Sequence, residues 1–167
     1  MHKTTELRAV RTALITALLA ICFVACLPVR GDSHVLGACP KIASEYFANH
    51  LGETIRVFTS YDLEKQYAVY LCGNQYVHPP VMELAVPFAS EGETAARFLQ
   101  SKMEGNIEDL TTRDLLLVFA EMQRQKTYDV KGDMALMNLL RRKVGAIKDA
   151  FWREQANISL VRIVDSQ

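Results

Sequence analysis

Residues 111–151 read TTRDLLLVFAEMQRQKTYDVKGDMALMNLLRRKVGAIKDAF, and their apolar spacing decides the fold class. Leu115, Val118, Phe119 and Met122 recur at i, i+3, i+4 and i+7, one face of an α-helix. After the turn residues of 126–132, Asp133 is placed as an N-cap, and Leu136, Met137, Leu140, Val144, Ile147 and Phe151 repeat the helical period. Thr111-Thr112-Arg113-Asp114 has the form of a capping box opening the first of these helices. Nothing in the stretch alternates with the period of two that a half-buried strand requires.

The same pattern extends towards the N-terminus. Ser90-Glu91-Gly92-Glu93 is a second capping box, followed by Ala95, Phe98, Leu99 and Met103 on one face, with Gly105 as a stop. Val81, Leu84, Ala85 and Phe88 form a short helical face that Pro87 should shorten or kink. His78-Pro79-Pro80 separates it from a helix carrying Leu63, Tyr67, Tyr70 and Leu71, which Thr59 and Asp62 open and Gly73-Asn74 should end in the left-handed manner. Residues 40–51, with Ile42, Tyr46, Phe47 and Leu51, predict an earlier helix started by Pro40 and stopped by Gly52. At the other end, residues 157–167 are rich in β-branched side chains and predict a short extended tail.

The expectation is an all-α fold of about six helices in stacked antiparallel hairpins, HEAT-like or an irregular helical array. Residues 79–103, a proline-led helix, a turn and the start Gly92-Glu93-Thr94-Ala95-Ala96-Arg97-Phe98-Leu99, are similar in style to a HEAT-like repeat.

Residues 1–31 have a different composition. Lys3, Arg8 and Arg11 precede an uncharged run at 12–27, which Pro28 stops; this is the layout of a secretory signal peptide. A run of that length spans about 24 Å as a helix, short of the roughly 30 Å hydrocarbon core. Cleavage after Gly31 places Val29 and Gly31 as the small residues of the site, leaving a single helical domain at 32–167. The alternative reads Phe23-Val24-Ala25-Cys26 as a lipobox, with a lipoprotein signal at 1–25 and Cys26 lipidated. Leu36-Gly37-Ala38-Cys39 fits that consensus better but lies beyond Arg30 and Asp32, outside the apolar run.

The chain of 167 residues carries 19 Lys+Arg and 19 Asp+Glu, and this neutrality is a cancellation. Four of the bases and one of the acids lie in residues 1–31, leaving 15 bases against 18 acids, a net −3, in the remainder. A mildly acidic domain excludes nucleic-acid binding through bulk positive charge. Half the residues are apolar and 23% are charged, which excludes a disordered or collagen-like chain.

Cys22 and Cys26 belong to the apolar run, so Cys39 and Cys72 remain for the domain, most simply as a disulfide in an exported protein. Closing a loop of that length stabilises a fold by about 3–4 kcal/mol in the chain-entropy model. No Gly-x-Ser-x-Gly elbow, His-Glu-x-x-His or paired Cys-x-x-Cys is present, and His34, His50 and His78 are isolated in sequence. No catalytic residue, metal ligand or cofactor is therefore assigned. Asp129-Val130-Lys131-Gly132-Asp133 puts Lys131 where a calcium loop needs a ligand, so a turn with an N-cap explains it better. Acid pairs Glu91/Glu93 and Glu108/Asp109 sit where helix starts favour negative charge.

Two segments suit contacts with a partner. Asn74, Gln75, Tyr76 and His78 end a tyrosine-rich stretch, and Tyr128, Asp129 and Lys131 place an aromatic ring among charges at a hairpin tip. The functional expectation is a periplasmic or secreted envelope protein that binds another protein; an inhibitor or immunity-type role fits its size and acidity. The alternatives are a lipid-anchored structural or assembly protein of the outer membrane, held through Cys26, and, lower, an exported hydrolase gathering His50 or His78 with acids.

Overall fold

The computed structural model describes residues 33–48 and 51–166; the signal peptide expected at 1–31, Cys26 and His50 lie outside the described residues. Eight α-helices and one 3-10 turn follow in order, and no strand occurs among the described residues. They are α1 (Ser33–Tyr46), α2 (Leu51–Phe58), α3 (Leu63–Gln75), the 3-10 turn Met82–Leu84, α4 (Ala85–Ser90), α5 (Glu93–Glu104), α6 (Asp109–Gln125), α7 (Met134–Ala146) and α8 (Ala150–Asp165). The fold is all-α with more helices than the six expected.

The core forms where the helical periodicity placed it. Tyr67, Tyr70, Phe88, Leu99, Met103, Leu115, Phe119, Met122, Leu136 and Leu140 are all buried. Phe88 is the aromatic hub: its ring lies 5.8 Å from Phe58 and 5.8 Å from Tyr70, both edge-on, the arrangement ring quadrupoles favour. The most extensive packing joins alternate helices along the chain, α1 with α3, α4 with α6 and α6 with α8, rather than successive ones.

Several boundaries differ from the sequence reading, each for a local reason. Pro40 lies inside α1 instead of starting it, and Cys39, in the preceding turn, is bridged to Cys72 with a Cα–Cα distance of 5.3 Å. The bridge thus fastens the middle of α1 to the last turns of α3. Gly52 does not stop a helix; it falls in the first turn of α2, which has Glu53 at its start and Arg56 at its end, both matched to the helix dipole. Tyr46 Oη donates to the Thr54 carbonyl at 3.0 Å, tying the end of α1 to α2. Gly73 and Asn74 are interior to α3, which closes at Tyr76 in a right-handed conformation. Gly73 is small for a packing reason: a Cβ there would stand 2.9 Å from the Phe47 ring.

Neither capping box forms. Ser90 Oγ donates back to the Pro87 carbonyl at 2.6 Å, and Gly92 is the N-cap of α5 at φ +61°. A Cβ at Gly92 would also meet the Thr127 carbonyl at 2.9 Å, so glycine is required twice over. Thr111, Thr112 and Asp114 lie inside α6, which begins at Asp109, and all three are buried. The expected Asp133 cap does form, accepting from Leu136 N at 3.0 Å; at the start of α3 Asp62 alone is the cap, accepting from Lys65 N at 2.8 Å, while Thr59 Oγ1 donates back to the Arg56 carbonyl.

The long helix expected from Asp133 to Phe151 is two helices. Ile147 leaves the helical region, and Asp149 caps a new start by accepting from Trp152 N at 3.0 Å. Asp109 Oδ2 accepts from the backbone N–H groups of Lys148 and Asp149 at 2.9 and 3.0 Å, holding the break open. The extended tail expected at 157–167 is helical through Asp165, where α8 ends, burying Ala156, Ser159 and Ile163 at helical spacing. Here packing against α6 overrides β-branched propensity.

Candidate interaction surface

The 3-10 turn and α4 expose Met82 and Val86 because these positions fall off the buried face set by Leu84, Ala85 and Phe88. Beside them α6 presents Leu117 and Ala120, and the end of α8 closes the far side. Together they form a groove of about 570 Å³, with Ala85, Leu117 and Ala120 as an apolar floor. Both charge signs stand on its rim: Glu121 and Arg124 from α6, Arg162 and Asp165 from α8. Glu121 is hydrogen-bonded by Arg124 and accepts from Gln125 Nε2 at 2.9 Å. These bonds, the Arg124 one first, hold its carboxyl below the usual range, so the rim keeps its negative charge. Gln125 Nε2 also donates to the Val86 carbonyl at 3.0 Å, fixing α4 against α6. A charged rim around an apolar floor is the anatomy of a protein-contact patch.

A second cleft, about 800 Å³, lies between the start of α6 and the α7–α8 junction. Its polar groups are largely committed to the fold. Asp109 holds the junction, Lys143 Nζ donates to the Gly105 carbonyl at 2.6 Å, and Asp149 caps α8.

Between α3 and α6 lies a buried polar node. Tyr70 Oη donates to the Asp114 carbonyl at 2.7 Å, and Gln75 Nε2 donates to Asp114 Oδ2 at 2.7 Å and to Thr111 Oγ1 at 3.2 Å. Arg113 Nη1 stands 3.1 Å from the other Asp114 oxygen, an ion contact without hydrogen-bond alignment. The Arg113 guanidinium also lies 5.0 Å from the centre of the Trp152 ring, linking the node to α8. Burial pushes the Asp114 carboxyl up to about 6, opposed by Arg113 and Gln75. The node ties two helices together and opens onto no described cavity.

The seven residues expected at a contact surface fall into three states. Tyr76, His78, Asp129 and Lys131 are exposed. Asn74 is buried beside Tyr70, and Gln75 is turned inward onto Asp114. Tyr128 is half-buried, its hydroxyl donating to Asp133 Oδ2, to which Arg97 Nη1 also donates at 2.7 Å. Desolvation and the Asp133 bond raise the Tyr128 phenol to about 12. Asp133 itself is held down at about 2, first by the Leu136 N–H and then by Tyr128. The two segments are anchored by different neighbours, α6 for the first and the end of α4 for the second, through Thr127 Oγ1 donating to the Ala89 carbonyl at 2.7 Å.

The groove residues were missed in the sequence reading; their signal was Met82 and Val86, apolar residues off the period of a short helix. Among the described residues no group of three His, Cys, Asp or Glu is placed to hold a metal ion. No described helix is long and apolar enough to cross a membrane. No family model, no curated protein and no solved structure matches this chain.

Proposed function

We propose that the chain is a protein-binding module of an oxidising, extracytoplasmic compartment, periplasmic or secreted, delivered there by residues 1–31. The groove between the 3-10 turn with α4, α6 and the end of α8 carries this reading. It leaves Met82 and Val86 exposed over an apolar floor, with an acid and a base on each side of the rim. Its natural occupant is an apolar segment of another protein flanked by charges of both signs. The Cys39–Cys72 bridge supports the compartment, since such bonds persist where thiols are not kept reduced.

Photo-crosslinking in living cells tests the proposal. A photoreactive residue at position 82 or 86 should give a discrete adduct with a different protein. The same residue at Arg141, exposed on α7, should give none. Adducts equal in intensity at all three positions, or absent from 82 and 86, would remove the groove as a binding site.

A further inference from the structure

We infer that Arg113, Asp114 and Trp152 form a proton-operated latch between α6 and α8: ionised Asp114 holds the Arg113 guanidinium over the indole, and neutral Asp114 releases it. Asp114 lies inside α6 with its side chain fully buried, and Arg113 Nη1 stands 3.1 Å from its Oδ1. The same guanidinium lies over the ring of Trp152, in the first turn of α8, 5.0 Å from its centre. Only 11% of the Arg113 side chain is exposed, and among the described residues no other acid pairs with it. Trp152 also lines the cleft between the start of α6 and the α7–α8 junction. The latch therefore sets one wall of that cleft.

Charge, rather than hydrogen bonding, joins the first two members. Asp114 Oδ1 and Arg113 Nε have no hydrogen-bond partner among the described residues, so their contact weakens as soon as the carboxylate is neutralised. The other groups around the carboxyl carry no charge: Tyr70, Asn74 and Gln75 from α3, Thr111 from α6 and the indole from α8. Asp109, one turn before Arg113, is occupied by the backbone N–H groups of Lys148 and Asp149. Burial keeps the Tyr70 phenol well above its ordinary range, which leaves Asp114 as the member that titrates. Its own burial, opposed by Arg113 and Gln75, places that titration at about 6. Once Asp114 is neutral, the guanidinium is a largely buried cation without a counter-charge. Attraction to an indole face is weaker than the cost of keeping such a cation buried, so Arg113 turns out to water and uncovers the ring. Protonation is thereby converted into a change at the cleft wall. Use of the latch as a pH sensor rests on the extracytoplasmic placement proposed above; the latch itself does not.

Trp152 is the single tryptophan, so its emission and its quenching by acrylamide report the latch in the purified protein. As pH falls from about 8 to about 5, the emission should shift to the red and quenching should increase, in one step with its midpoint near 6. Far-ultraviolet dichroism recorded alongside should stay constant. D114N and R113Q should each give the acid-form reading at every pH. The triple variant H34Q/H50Q/H78Q should keep the step, although histidine ordinarily titrates close by. In the labelled parent protein, the Asp114 carboxyl carbon, the Arg113 Nε–H and the Trp152 indole N–H should share one midpoint by nuclear magnetic resonance, a measurement that needs no variant to fold. A Trp152 signal flat across the range overturns the inference. So does a step that survives in D114N or R113Q, a step lost with the histidines, or an indole that titrates apart from the Asp114 carboxyl.

Discussion

α1 and α2 are attached to the molecule differently from the helices that follow. α6 alone buries Leu115, Leu116, Val118, Phe119 and Met122, and α3 buries Tyr67, Val69, Tyr70 and Leu71. In α1 the described buried side chains are Cys39 and Tyr46, and in α2 they are Thr54 and Phe58. The first region compensates covalently and locally: the Cys39–Cys72 bridge clips α1 to α3, Tyr46 Oη bonds the Thr54 carbonyl, and Phe58 inserts beside Phe88. α1 thus packs along α3 mainly through partly buried side chains such as Val35 and Ile42 and is secured by a cross-link, whereas α3 to α8 rest on shared burial of fully buried ones.

This contrast can be broken or sharpened by substitution. Phe119→Ala removes a fully buried ring at the heart of α6 and should cost about 3–5 kcal/mol. Because that core underlies both regions, chemical denaturation followed by far-ultraviolet dichroism and by fluorescence of the single Trp152 should give coincident transitions. The C39S/C72S pair should cost about 3–4 kcal/mol and act differently. Helical signal from α1 and α2 should be lost early, while Trp152, on α8, reports a later transition. Coincident curves for this variant would make the two regions one cooperative unit.

Asp114 gives a prediction confined to the packed region. Its carboxyl titrates at about 6 in the fold against 3.8 when unperturbed, so the native state holds the proton more tightly than the unfolded chain. That contribution to stability is complete below about pH 4 and is lost as pH rises through 6. Urea midpoints of the parent should therefore fall relative to D114N across this window, by the equivalent of about 2–3 kcal/mol. A constant difference between the two would remove the buried carboxylic acid from the account. The smallest effect belongs to D149A, which deletes the cap of α8 and should cost about 1 kcal/mol by thermal melting.

Sequence periodicity reported which residues are buried far better than where helices begin and end. Leu99, Phe119 and Leu140 were legible because an apolar face at period 3.6 has one inward direction. The boundaries were not, since they depend on partners distant in sequence. The α7–α8 break rests on Asp109, some forty residues away, and Gly73 looked like a stop because Phe47 is invisible to a local reading. Ser90 and Thr111 matched a capping pattern, but one bonds its own preceding turn and the other is buried against Gln75. Of the residues expected at a contact surface, Tyr76 and His78 are exposed, while Gln75 was recruited by a buried acid that no local pattern announced and Asn74 is buried beside Tyr70. The cysteine pairing was legible because only two cysteines lie outside the apolar run.

Amide hydrogen exchange of the purified protein, oxidised and then reduced, tests the division between a clipped and a packed region most directly. Reduction should strip protection from α1 and α2 far more than from residues 115–122 of α6. Equal losses in both regions, or α1 amides still protected after the bridge is opened, would contradict it.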